Sequence, residues 1–190
     1  NGLNSQVTFA PDQIIFTPDI DAKYYAYVGR YGGSGFGDYK LLVTSNNALL
    51  GGLISPDDDI LTGGSGSDQF IIASGHDIIT DVGDGSDSMV VSSGAAVEGI
   101  ITAEWVATSD TINDGTVNLT VFDYDVDVSE ASGDSGFTLT NEGNDGSVFL
   151  TGSTNSDILV GGRGNDTLIG GDGSDTFEGN AGDDTIFGGA

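Results

Sequence analysis

An all-β fold of short, stacked strands is what this 190-residue chain predicts. Three observations carry that expectation. A nine-residue unit, G-G-x-G-x-D-x-U-x with U a large apolar residue, recurs along the chain. β-Branched and aromatic runs fill the stretches between the repeats, and no stretch shows a helical period. The strictest copies are residues 63–71, 161–169, 170–178 and 179–187, the last three contiguous.

Residues 1–53 read as a β-rich segment, with Gln6-Val7-Thr8-Phe9, Gln13-Ile14-Ile15-Phe16 and Tyr24-Tyr25-Ala26-Tyr27-Val28 set between Pro and Gly punctuation. Tyr24, Tyr25, Tyr27, Tyr31, Phe36 and Tyr39 form an aromatic cluster there, read either as a packed strand pair with a glycine loop or as a sugar-binding surface. Residues 54–90 are a first repeat tract. Its degenerate copies keep Asp59 and Leu61, then Gly75, Asp77 and Ile79; a one-residue slip at Asp81 restores the frame with Gly83, Gly85, Asp87 and Met89.

Residues 91–151 form a second β-rich segment, either an insertion in one roll or a second β domain. It offers Ile100-Ile101-Thr102, Glu104-Trp105-Val106-Ala107, 117–122, 137–140 and Val148-Phe149-Leu150 as strands. Strict alternation over 117–122 and 137–139 predicts half-buried antiparallel strands. Residues 152–190 are the second tract, headed by a copy that keeps Asp157 and Leu159 and truncated in mid-repeat at Gly188-Gly189-Ala190. The stretches 46–64 and 145–162 resemble one another, which suggests a tandem unit.

The repeat's chemistry follows from its spacing. Glycines at positions one, two and four turn the chain through dihedrals closed to other residues and draw backbone carbonyls together. The Asp at position six adds a carboxylate beside them. Hard oxygen donors in a flexible loop suit Ca2+, which accepts ~6–8 oxygens, better than Mg2+, which demands a tighter octahedron. One inward apolar side chain per nine residues buries too little to offset the ordering of so many glycines, so stacking and metal ligation must supply the rest.

The pattern resembles the RTX calcium-binding nonapeptide repeat, over about 75 residues in the two tracts. The resemblance implies a right-handed parallel β-roll, with several Ca2+ ions held between loops two repeats apart. It pairs Asp59 with Asp77, Asp68 with Asp87, Asp157 with Asp175, and Asp166 with Asp184. Loop residues complete each shell: Gly63, Gly64, Ser65, Gly66, Gly75, Gly83 and Gly85 in the first tract. In the second they are Asn155, Gly161, Gly162, Arg163, Gly164, Gly170, Gly171, Asp172, Gly173, Gly179, Asn180, Ala181 and Gly182. Pro56 and Asp57 replace glycines in the first copy, and Ser153 and Asn155 do so at the head of the second tract, so those outer half-sites are expected to be weaker or completed by other residues.

With 30 acidic against 4 basic side chains the net charge is −26, which disfavours a compact state without bound counter-ions and argues against nucleic acid and anionic membranes as partners. There is no cysteine, so in an extracellular setting calcium replaces disulfides. No apolar run approaches the ~20 residues of a membrane span. No H-E-x-x-H motif is present, and the single histidine, His76, falls at an outward loop position.

Asp123, Asp125 and Asp127 alternate as on one strand face, where they either hold a further calcium with Glu130 or keep an edge soluble. Together these features predict a non-catalytic, secreted structural or adhesive module whose folding depends on Ca2+. RTX-like proteins leave the cell by type I secretion. Expected partners are calcium, copies of the chain in head-to-tail assembly, and a cell-surface glycan; the alternative is a calcium- or glycan-binding module of a secreted enzyme or surface-layer protein. A fragment of a large adhesin or fibre fits the truncated last repeat.

Overall fold

The structure, a computed structural model, describes residues 58–83 and 86–190, together with the backbone of the strands Val7–Ala10, Gln13–Phe16, Lys40–Val43 and Leu49–Gly51. All regular structure among them is β, stacked as a parallel solenoid of about six turns. Among the described residues no helix is long and apolar enough to cross a membrane. The tyrosine cluster and Gly85 lie outside the described residues.

One sheet runs through every coil. Its parallel strands are Gln13–Phe16, Lys40–Val43, Ile60–Thr62, His76–Val82, Ala96–Ile101, Thr116–Val121, Phe137–Thr140, Ile158–Val160 and Thr176–Glu178. Val7–Ala10 adds to its edge, antiparallel to Gln13–Phe16. The return strands form two shorter parallel sheets. One contains Leu49–Gly51, Gln69–Ile72, Ser88–Val91 and Ile112–Asn113. The other contains Trp105–Val106, Val126–Asp127, Phe149–Thr151, Thr167–Ile169 and Thr185–Phe187.

The strands expected to be antiparallel are not. Val97 pairs with Val117 and Val117 with Phe137, all in parallel, within the same sheet as the repeat strands. Alternation reports only that one face is buried. Strand direction is set by the connection, and the chain from Val121 to Phe137 crosses to the other sheet through Val126–Asp127 before returning. The coils differ in length instead: hydrogen bonds link equivalent turns 18 residues apart in the second tract but 20 apart between Phe137 and Asp157.

Inward residues stack in columns. Leu119, Leu139 and Leu159 lie above one another, as do Leu150, Leu168 and Ile186. Gly99 leaves room for the Leu119 side chain, since a Cβ there would sit 2.5 Å from Leu119 Cδ2. The core peaks in the middle coils, where Trp105, Val117, Val121, Val126 and Phe137 are buried. It thins in the last coil, where Ile186 is 47% exposed.

Candidate metal centre

Position six stands immediately before the strands Ile60–Thr62, Gln69–Ile72, Ser88–Val91, Ile158–Val160, Thr167–Ile169, Thr176–Glu178 and Thr185–Phe187, and as the second residue of His76–Val82. The strand pins the residue, and the glycine loop before it lets its carboxylate turn back toward the preceding coil. Asp77 Oδ1 accepts the Asp59 N–H at 3.0 Å, and Asp87 Oδ1 the Asp68 N–H at 2.9 Å. Asp175 Oδ1 accepts from Asp157, and Asp184 Oδ1 from Asp166, each at 2.9 Å. The four sequence-derived aspartate pairs are thus neighbours, joined carboxylate to backbone N–H.

The second carboxylate oxygen is held by the same residue's own loop. Asp166 Oδ2 accepts the Gly162 N–H at 2.7 Å, Asp87 Oδ2 the Gly83 N–H at 2.9 Å, and Asp157 Oδ2 the Ser153 N–H at 2.6 Å, with Ser153 Oγ at 3.0 Å. Asp175 differs: its Oδ2 is buried with no hydrogen-bond partner among the described residues. Such an acceptor costs free energy unless a cation or donor reaches it.

Carbonyls of one coil press on the glycines of the next. A Cβ on Gly162 would lie 2.6 Å from the Asn144 carbonyl oxygen, and one on Gly173 2.7 Å from that of Asn155. Gly171 and Gly173 also sit at φ of 102° and 112°, closed to most side chains. Among the described residues no three His, Cys, Asp or Glu side chains converge on one point, so a cation here would rest mainly on backbone oxygens with one or two carboxylates. Ca2+ accepts that donor set. The buried carboxylates, the crowded carbonyls and the orphaned Asp175 oxygen fit it.

Electrostatics point the same way. Burial pushes the Asp77 carboxyl up to about 6, helped by the charges of Asp59 and Asp58 and opposed by the Asp59 N–H and His76. Burial also raises Asp157, against the hydrogen bonds from Phe137 and Ser153. Both groups resist ionisation unless positive charge is near.

Other sequence candidates fall in varied places. The Arg163 side chain is exposed and meets Asp145 at 3.1 Å, while its N–H donates to the Asn144 carbonyl at 2.7 Å. Ser65 and Asp172 are exposed. Asn180, at φ 67°, donates its amide to the Gly161 carbonyl at 2.9 Å, and the Ala181 N–H reaches Gly162 at 3.2 Å. The Asn155 amide donates to the carbonyls of Gly133 and Ser135 at 3.0 and 3.4 Å. His76 lies 3.4 Å from Glu98, both side chains well exposed.

The expected face of Asp123, Asp125 and Asp127 does not exist, because the strand there is only Val126–Asp127. Asp123 sits in a turn at φ 60°; Asp125 caps the Phe149 N–H at 2.7 Å, and Asp127 caps the Ser129 N–H at 2.9 Å. Backbone capping overrode the alternation.

Two elements escaped sequence reading. Asp81 accepts the N–H groups of Gly63 and Gly64 at 2.9 and 2.7 Å, so the residue that broke the frame clamps the first strict loop. Residues 143–151 form a further repeat, with Gly143, Gly146 and Leu150 at positions one, four and eight and Val148 in place of aspartate. The Val148 N–H donates to Asp166 Oδ1 at 2.9 Å, as an aspartate there would. The glycine spacing and Leu150 were its available signal.

These features define a parallel β-solenoid with aspartate–glycine loops at its turns. The sequence profile of the RTX calcium-binding nonapeptide repeat matches residues 55–79, 142–168 and 169–190, in four copies. The chain therefore carries RTX calcium-binding repeats, and its parallel solenoid is consistent with an RTX β-roll. RTX repeat proteins are typically secreted, and their rolls typically bind or support. Neither a curated protein nor a solved structure matches the chain.

Proposed function

We propose that the chain is a non-catalytic, extracellular structural module of an adhesive surface protein, in which calcium gates folding of the repeat coils. One observation carries this reading: position-six aspartates, buried or half-buried, face one another coil upon coil, each already bonded to the backbone. Carboxylates so engaged are poor general acids or nucleophiles and good cation ligands. The proposed ligands are the four aspartate pairs with the loop carbonyls named above. Calcium bound there would supply the positive charge that lets stacked carboxylates ionise without repulsion.

Binding only to the folded state stabilises it by RT ln(1 + [Ca2+]/Kd) per site. With Kd of ~10⁻⁴–10⁻³ M, as in extracellular modules, millimolar calcium would fold the repeat coils and cytosolic levels would not. That difference supports passage through a cell in an unfolded state and folding outside. Circular dichroism tests it. The β signal should fall on chelation and return at millimolar Ca2+. Asp166→Ala and Asp175→Ala should each shift the calcium midpoint upward severalfold, while Asp110→Ala, at an exposed turn, leaves it unchanged. Equal shifts from all three would leave bulk charge, not site geometry, as the cause. Head-to-tail assembly is part of the same proposal; filaments in electron micrographs with calcium, absent in chelator, would support it.

A further inference from the structure

The inward column that contains the proposed calcium ligands changes chemistry halfway along the molecule. From one end to the other it reads Asp59, Asp77, Val97, Val117, Phe137, Asp157 and Asp175, each residue against the next. Asp77 and Asp157 are as deeply buried as Val97, Val117 and Phe137. The middle coils therefore put hydrocarbon where the outer coils put carboxylate.

The turns change with it. In the middle coils the backbone closes its own turns: Ala95 donates to Ser92, Thr111 to Thr108, Ala131 to Val128 and Asn144 to Asn141, at 2.9–3.1 Å. Among the described residues, loops of the second tract have no such internal backbone bond and for backbone partners depend on the adjoining coil alone, as Arg163 does on Asn144 and Ala181 on Gly162. Middle loops bond both ways, as Asn113 does to Ser132.

Asparagine amides complete the difference. Asn141 is fully buried; its Nδ2 donates to Asp123 Oδ1 at 3.2 Å and to the Gly146 carbonyl at 3.3 Å, and its Oδ1 accepts the Asp123 N–H at 3.0 Å. Asn113, equally buried, donates to the Gly136 carbonyl at 2.7 Å and accepts the Gly115 N–H at 3.0 Å. Asn144 donates to the Val121 carbonyl at 3.2 Å. An amide carries its own donor and acceptor, so it satisfies crowded carbonyls that a carboxylate can share only through a cation.

We infer that the coils from Ala96 to Thr140 fold without calcium and act as a standing template on which the calcium-gated coils assemble. The inference rests on the calcium reading of the repeats, which it divides into gated and ungated parts. Loop closure and strand alignment are costly first steps in a solenoid, and each added coil contacts only its neighbour. A preformed central sheet offers Phe137–Thr140 as the edge on which Ile158–Val160 docks, so calcium need only extend a stack that already exists.

Hydrogen–deuterium exchange on the whole chain, in EGTA and in millimolar Ca2+, tests this. In EGTA, Ala96–Ile101, Thr116–Val121 and Phe137–Thr140 should stay protected, exchanging at least about tenfold more slowly than Ile158–Val160, Thr167–Ile169 and Thr176–Glu178. Calcium should then protect the latter group. If every strand exchanges freely in EGTA, the template is refuted while calcium gating stands; if every strand stays protected, both are refuted.

Asn141→Asp supplies a second measurement. It sets a carboxylate against Asp123 and removes the amide donor, so protection of Thr116–Val121 in EGTA should fall toward that of the repeat strands, with recovery on adding calcium. Unchanged protection of this variant in EGTA would overturn the role given to the amides.

Discussion

Asp77, a proposed calcium ligand, shows how one carboxyl group would couple the roll to both protons and metal. Its carboxyl is pushed up to about 6 in the folded, metal-free state against an ordinary 3.8, so the folded chain binds that proton more tightly than the unfolded one. The stabilisation it gives is fully present below the ordinary value and is lost as pH rises through about 6. Asp157 is raised in the same direction. Calcium needs the ionised form, so its affinity must move the opposite way. In chelator, lowering the pH from 7.5 to 5 should therefore raise the β signal of the repeat coils, with a smaller further gain from calcium at pH 5. A metal-free β signal that falls on acidification would contradict burial of uncompensated carboxylates. The pairing of these aspartates was legible in the sequence because position six recurs in register. Asp81 was not, because its role depends on folding back over Gly63 and Gly64 across one coil, which nothing local announces.

Among elements, the turn distinguishes one coil from another. Repeat turns are tight because glycine admits the neighbouring coil's carbonyl. Gly173→Ala would meet the Asn155 carbonyl at 2.7 Å and must hold φ near 112°, so it should cost about 2–4 kcal/mol from left-handed strain and overpacking together. Gly188→Ala meets nothing within 4 Å and should be neutral. Comparing the two by chemical unfolding in saturating calcium checks this, and equal losses would mean that chain entropy governs. Strand positions in residues 91–151 were largely readable: alternation placed Val117, Leu119 and Val121 inward, as they are. Their direction was not, because a coil that returns after 20 residues leaves no nine-residue signature. Hydrophobic alternation encodes a face, whereas repeat spacing encodes the path between faces.

Across the whole molecule, a charge of −26 must be reconciled with close stacking. Exposed carboxylates such as Asp110, Asp145 and Asp172 are within reach of simple screening, since the Debye length shrinks to ~3 Å in 1 M salt. The buried columns are not, because the ionic atmosphere of bulk solvent screens buried charges far less than exposed ones. Adding 1 M NaCl to the chelated protein should therefore fail to restore the β signal that millimolar calcium restores. Full recovery in NaCl would make specific ligation unnecessary.

The sole tryptophan sits where these arguments meet. Trp105 is buried in the central core, and its indole N–H donates to the Asp87 carbonyl at 3.0 Å, one coil back and inside the first repeat tract. The chain thus contains a native fluorophore hydrogen-bonded to one of the proposed calcium loops. Its emission should change, without any label, when that loop opens.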